Sequence, residues 1–207
     1  MPKFPEPPPV PELSKLPADE ATLPDGTLLW RIYLQAGKYP TTWDSFRDFG
    51  PTNSRFDHHL EPKGKQSRAI LYASQRGPTC FAEVFQETRT IDRHKGEPWL
   101  VGFELARSVR LLDLTGNWPT QAGASMAINS GPRPRARRWS QAMYQAYPAI
   151  EGILYCSSMD GNRPAVALYE RARSALPAHP VFHRALADSA MTTLVTNAAL
   201  QFGYLVL

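Results

Sequence analysis

Hydrophobic and polar positions alternate along this chain in short runs of two different periods. Thr27–Leu34 (TLLWRIYL) is rich in strand-forming residues and predicts a first strand; Ala69–Ser74 (AILYAS) predicts a second. Gly77-Pro78 follows, and proline suits the first turn of a helix, where its missing N–H has no partner to lose. Beyond it Cys80, Phe81, Val84 and Phe85 fall on one helical face. Glu83 lies next to that face, near the helix start, where the helix dipole tolerates a carboxylate. Trp99–Glu104 and Val109–Leu114 predict two more strands. A helix over 135–147 carries Trp139, Met143, Tyr144 and Tyr147 at helical spacing, which reads as core packing. Ile150–Cys156 and Ala165–Tyr169 predict strands joined by a turn at 159–164. A helix over 189–201 and a closing strand at Tyr204–Leu207 complete the pattern. There is no internal repeat, and the mixed order predicts an α+β fold with a mixed sheet core and surrounding helices.

Two stretches carry no period. Residues 1–25 hold eight of the twenty prolines and predict an extended, polyproline-like arm. That arm has three open fates: lying on the body, lying on a neighbouring subunit of a homo-oligomer, or hanging loose. The division expected is therefore an arm at 1–26 and a single domain at 27–207. From Gln35 to Ser67 the chain is punctuated by glycine, proline, asparagine and aspartate, and a loop this long inside a compact domain is usually functional or mobile.

Composition narrows the classes. At 207 residues and 43% hydrophobic, the chain is long enough for one well-buried core. No apolar run approaches the ~20 residues that span a bilayer. The N-terminus has no apolar segment of the secretory kind. Cys80 and Cys156 are far apart in apolar contexts, which predicts buried reduced thiols and a cytoplasmic protein. A net charge of +4 favours anionic ligands such as nucleotides or phosphates. Much of it sits at Arg133, Arg135, Arg137 and Arg138, either a solvated helix start or a patch for nucleic acid or a partner.

The candidate chemistry lies in polar residues set in or beside apolar segments, where a charge or hydroxyl is costly unless it has a partner or a task. Arg31 interrupts the first strand: either it faces solvent on an edge strand, or its guanidinium fork holds a phosphate or ribose oxygen. Arg55 offers the same fork, or a surface ion pair with Asp57. Tyr72 is a packed aromatic or a platform for a heteroaromatic ring. Glu83 is an exposed helix residue or a carboxylate that stabilises a cationic transition state. Ser157 ends the strand ILYC as a turn residue or as a hydrogen-bonding group where the sheet opens. Asn162, in GNRP, is either a plain turn residue or the lining of a pocket near Ser157, and Tyr39 is either an ordinary loop aromatic or a cap over a ligand. There is no G-x-S-x-G elbow, P-loop or G-x-G-x-x-G. His58 and His59 are adjacent, so their rings diverge on any regular element. No C-x-x-C or H-E-x-x-H accompanies them, and no metal is expected.

From Leu29 to the C-terminus the chain resembles the RES domain, a family named for its arginine, glutamate and serine. The resemblance rests on LWRIY, SRFD, LYAS, AEVF and GILYCSS…NRPAVALYE, in that order and spacing. It implies a fold like that of ADP-ribosyltransferases and the activity of a toxin that degrades NAD by hydrolysis or phosphorolysis. It also implies an Xre-like DNA-binding antitoxin as partner. NAD is then substrate, and no separate cofactor is implied. The motif carries over Arg31, Glu83 and Ser157 as the name-giving residues, Arg55 and Tyr72 as further pocket positions, and Tyr39 more loosely. Other family members transfer ADP-ribose to a protein, which stays open here. A non-enzymatic module binding nucleic acid through residues 133–138 is the alternative outside enzymology.

Overall fold

A computed structural model of the chain describes residues 3–207. In chain order its strands are β1 (Glu20–Leu23), β2 (Leu28–Leu34), β3 (Arg47–Gly50), β4 (Gly64–Ser74), β5 (Thr90–Ile91) and β6 (Pro98–Glu104). They continue with β7 (Val109–Asp113), β8 (Gly152–Cys156), β9 (Pro164–Tyr169), β10 (Phe182–Ala185) and β11 (Leu205–Val206). The α-helices are α1 (Val10–Leu13), α2 (Gly77–Val84), α3 (Trp118–Gln121), α4 (Arg133–Ala146) and α5 (Thr192–Phe202). Nine strands form one sheet in the order β1-β7-β8-β9-β4-β2-β6-β10, with β3 beside β4; β11 and β5 pair separately. Within the large sheet only β7 and β8 run parallel. The α+β architecture expected from the sequence is the one observed.

The period of two that marks a strand sorts the core onto the two faces of the sheet. Ile70 of β4, Ile153 and Tyr155 of β8, and Ala167 and Tyr169 of β9 point to the face covered by α4, packing with Trp118, Ile128 and Trp139. Leu71, Leu154, Val166 and Leu168 point the other way, joining Leu29, Val101, Phe103 and Leu111. A third cluster sets Phe81 of α2 and Val195 and Ala199 of α5 against Ile32 and Leu100. Cys80 and Cys156 are both buried and unpaired.

Several elements differ from expectation, for a common reason. The segment expected to be irregular contains β3 (RDFG), and β4 starts at Gly64, before the expected Ala69. β1 (EATL) and β10 (FHRA) were not expected. All are short, polar or at a sheet edge, and their pairing comes from the neighbouring strand rather than from their own composition. Val84, expected on the buried face of α2, is 43% exposed. His58 and His59, expected to diverge, stack at 5.4 Å between ring centroids and are both fully buried, because their segment follows no regular element.

The proline-rich arm lies on the body of its own chain. Phe4 and Leu13 are buried in the α4 cluster. Trp139 Nε1 donates to Pro5 O (2.9 Å), and Tyr147 Oη donates to the carbonyls of Leu13 and Leu16 (2.9 and 3.0 Å). Four arginines at the start of α4 oppose the positive end of the helix dipole. Glu6 offsets two of them, at 3.2 Å from Arg135 and 2.6 Å from Arg138. Arg133 reaches Gln86 and Glu87, and Arg137 reaches Asn53. The end of the arm is β1, paired antiparallel with β7.

Candidate active site

β2 and β4 are neighbours in the sheet, yet their register joins them only at Trp30 and Ser74. Past that pair β3 takes the place beside β4, with Arg47 opposite Ile70. Where the strands part, a cleft of about 1120 Å³ opens. Its walls come from β2, β3, β4, α2, β8, the start of α4 and the loops at residues 35–46 and 52–55.

Arg31 of β2 lines the cleft, and its Nη1 donates to the carbonyls of Trp43 (2.9 Å) and Ser45 (3.0 Å). These neutral partners aim the guanidinium without cancelling its charge. Burial lowers its pKa to about 10, so it stays cationic at neutral pH. Arg55 is held in the same manner, Nη1 donating to Gly131 O (2.5 Å). Its pKa is lowered by burial first and by Arg133 second. The ion pair weighed for it is not formed: Asp57 bonds His59 (2.5 Å), Arg47 (3.1 Å) and Thr52 instead. Burial alone would raise the Asp57 pKa, but His59, Arg47 and Thr52 together hold it well below its usual value.

Tyr72 of β4 borders the cleft with a partly exposed ring, while its hydroxyl is enclosed and makes no hydrogen bond of ordinary geometry. Burial drives its pKa up, so the phenol stays protonated. Glu83 points into the same cleft from the last turn of α2, not from near its start as expected, so the helix dipole does not favour its charge there. Tyr39 stands 72% exposed on the rim.

Ser157 follows the end of β8 and hydrogen-bonds there, as expected, but behind the cleft rather than in its wall. It is fully buried and is absent from the cleft wall, where Ser158 stands instead. Its Oγ donates to Glu83 Oε1 (2.5 Å) and accepts from the N–H groups of Met159 (3.2 Å) and Asp160 (3.1 Å). The hydroxyl therefore joins the end of β8 to the acid of α2. Asn162 does not line the cleft, which corrects the expectation from its place near Ser157. It is exposed, with a φ of 62°, and its N–H donates to Ser157 O (3.0 Å). Asparagine tolerates that left-handed turn conformation, which turns its side chain away from the sheet opening.

Arg47, Asn129, Tyr155 and Ser158 are among the further wall residues that were not expected from the sequence. Arg47 sits on the unexpected strand β3. Asn129 is buried at the ends of β7 and β8, accepting from Cys156 N (3.2 Å) and donating to Leu114 O (3.4 Å). Tyr155 was legible, since alternation along β8 puts it on the same side as Ile153. Among the described residues there is no group of three or more His, Cys, Asp or Glu that could hold a metal ion. No helix among them is long and apolar enough to cross a membrane.

The family model of the RES domain matches residues 28–189, more than three quarters of the chain. The chain belongs to the RES domain family. Arg31, Arg55, Tyr72, Glu83 and Ser157 all fall within the RES match, and the proline-rich arm precedes it. The fold is similar to that of a chain in the crystal structure of the M. tuberculosis MbcT–MbcA toxin–antitoxin complex. The TM-score is 0.56 at 13% identity, over 90% of this chain and 97% of that one. Among curated proteins there is no match.

Proposed function

We propose that this RES protein is the toxin of a toxin–antitoxin pair and that it cleaves NAD at the nicotinamide–ribose bond. The observation that carries the reading is the cleft, which sets two guanidiniums tethered only by neutral carbonyls, Arg31 and Arg55, in one cavity with the carboxylate of Glu83. Its volume of about 1120 Å³, at the upper end of the ~300–1,000 Å³ of small-molecule and cofactor pockets, leaves room for an extended dinucleotide.

Bound NAD would place its diphosphate against Arg31 and Arg55, and Tyr72 and Tyr39 would flank the nicotinamide end. Nicotinamide departs from the C1′ carbon with the bonding electron pair, which neutralises its ring nitrogen, so no proton is needed. Positive charge then spreads over the ribose, and Glu83 is the anion available to stabilise it. Water attacks C1′ and loses a proton to give ADP-ribose, or phosphate attacks to give the ribose phosphate ester. Ser157, with its hydroxyl already engaged, acts in this scheme by holding Glu83 rather than by touching the ribose.

Transfer of ADP-ribose to a protein shares these steps and differs only in the acceptor. Incubation with NAD, followed by mass spectrometry, separates the outcomes: free ADP-ribose, its phosphate ester, or a modified protein. Absence of nicotinamide release would sink the reading. An antitoxin, Xre-like by the family resemblance, would act in the cytoplasm by inserting a segment into the arginine-lined cleft. Saturating NAD should then relieve inhibition, and inhibition indifferent to NAD would count against direct occlusion. The nucleic-acid module is less well supported, because Arg133, Arg135, Arg137 and Arg138 all have partners within the chain.

A further inference from the structure

Glu83 is one helical turn beyond Thr79 on α2, and residues four apart share a helix face. Both are gripped by the turn that follows β8. Thr79 Oγ1 donates to Asp160 Oδ2 (2.6 Å), and Glu83 Oε1 accepts from Ser157 Oγ (2.5 Å). The turn is closed on itself: Asp160 N donates to Ser157 Oγ (3.1 Å), Arg163 N to Asp160 O (2.9 Å) and Ser157 N to Arg163 O (2.9 Å). Thr79 is fully buried and Asp160 is 7% exposed, so water does not compete for the bond between them. α2 is seated on the body by Phe81, which is fully buried, and by Tyr204 Oη, which donates to Ala82 O (3.2 Å). On a helix so seated, two attachments to the turn, one helical turn apart, set the final rotation that aims the carboxylate.

We propose that Asp160 is a positioning residue for Glu83, acting through Thr79 to hold α2 in the rotation that aims the acid into the cleft. The proposal rests on the reading of Glu83 as the acid that stabilises the cation. Asp160 lines neither the cleft nor the small side pocket beside Glu83, and Thr79 lines only that side pocket. A cleft acid displaced by about 1 Å is expected to lose turnover far more than ground-state binding.

Steady-state NAD consumption by the full chain, compared across four variants, tests this. Asp160→Ala should lower kcat about tenfold with KM changed by less than about twofold, the signature of a misplaced acid rather than a damaged binding site. Asp160→Asn retains an oxygen that accepts from Thr79 and should recover most of the rate. Thr79→Val should match Asp160→Ala, and the double variant should be no slower than either, since both remove one bond. Unchanged kcat in Thr79→Val, an Asp160→Asn as slow as Asp160→Ala, or losses that multiply would overturn the proposal. If Asp160→Ala does not fold, Thr79→Val and Asp160→Asn decide alone. If the unaltered chain leaves NAD intact, the proposed function fails separately. The clamp is then decided by a crystal structure of Thr79→Val: the bond between Ser157 and Glu83 should be broken, and an intact bond overturns it.

Discussion

Arg31 and Arg55 stand out in the sequence because each interrupts or borders an apolar run, and the structure brings both to one cleft with Tyr72 and Glu83. Arg31→Ala should lower NAD turnover about a hundredfold, the usual scale for losing one electrostatic partner of a transition state. Thermal unfolding should show the variant still folded, and turnover near that of the unaltered chain would exclude Arg31 from the reaction. Ser157 makes a different prediction, because its hydroxyl also serves two N–H groups. Ser157→Ala should cost about 1–3 kcal/mol of stability from those orphaned donors, in addition to slower turnover. A variant as stable as the parent in chemical denaturation would contradict this role. The sequence shows that Ser157 ends a strand, not which way its hydroxyl turns. It suggested Asn162 by nearness along the chain, although a turn reverses direction and left that side chain in solvent.

At the scale of elements, the most apolar strands and α2 were legible because their periodicity is strong, whereas β3 and β10 are polar strands whose pairing is imposed by β4 and β6. Losing β3 from the reading meant losing Arg47, the cation that bridges the cleft wall to Asp57. Behind that wall His58 is fully buried between Tyr144 and Tyr169, at centroid distances of 4.4 and 4.5 Å. Burial lowers its pKa from 6.5, opposed by Glu170, whose Oε2 is 3.7 Å away; His59 and Arg68 reinforce the lowering. A folded-state pKa below the unfolded value favours the fold above pH 6.5, and that contribution is lost as pH falls toward the folded value. The unfolding temperature should therefore decline as pH drops below 6.5, and His58→Gln should flatten that slope. Glu170 adds a second loss in stronger acid. Burial raises its pKa, but contacts with His58, Tyr144 and the Ala69 N–H outweigh this and hold it at about 2, below its unfolded 4.5. An identical slope in His58→Gln between pH 7 and 5 would rule out His58 as its source.

For the molecule as a whole, α+β architecture followed from the order of strands and helices. The docking of the arm did not, since proline content predicts extension but not a destination. Phe4 packs closely on Gly131, where an added Cβ would come within 2.8 Å of its ring, and Gly131 supplies the carbonyl that holds Arg55. The arm thus reaches the candidate site through one residue. Phe4→Ala should cost about 3 kcal/mol by the usual scale for emptying a buried aromatic site. By loosening Arg55 it should also raise KM for NAD about fivefold. An unchanged KM in a destabilised variant would show that the arm serves stability alone. In the proposed reaction this cleft breaks the bond between nicotinamide and ribose with Glu83 as its anion. The most direct measurement is nicotinamide release from NAD by the purified full chain beside Glu83→Gln, which keeps the shape and removes the charge. Steady release is expected from the former and about a hundredfold less from the latter, with both equally folded. Equal release from the two proteins would contradict it.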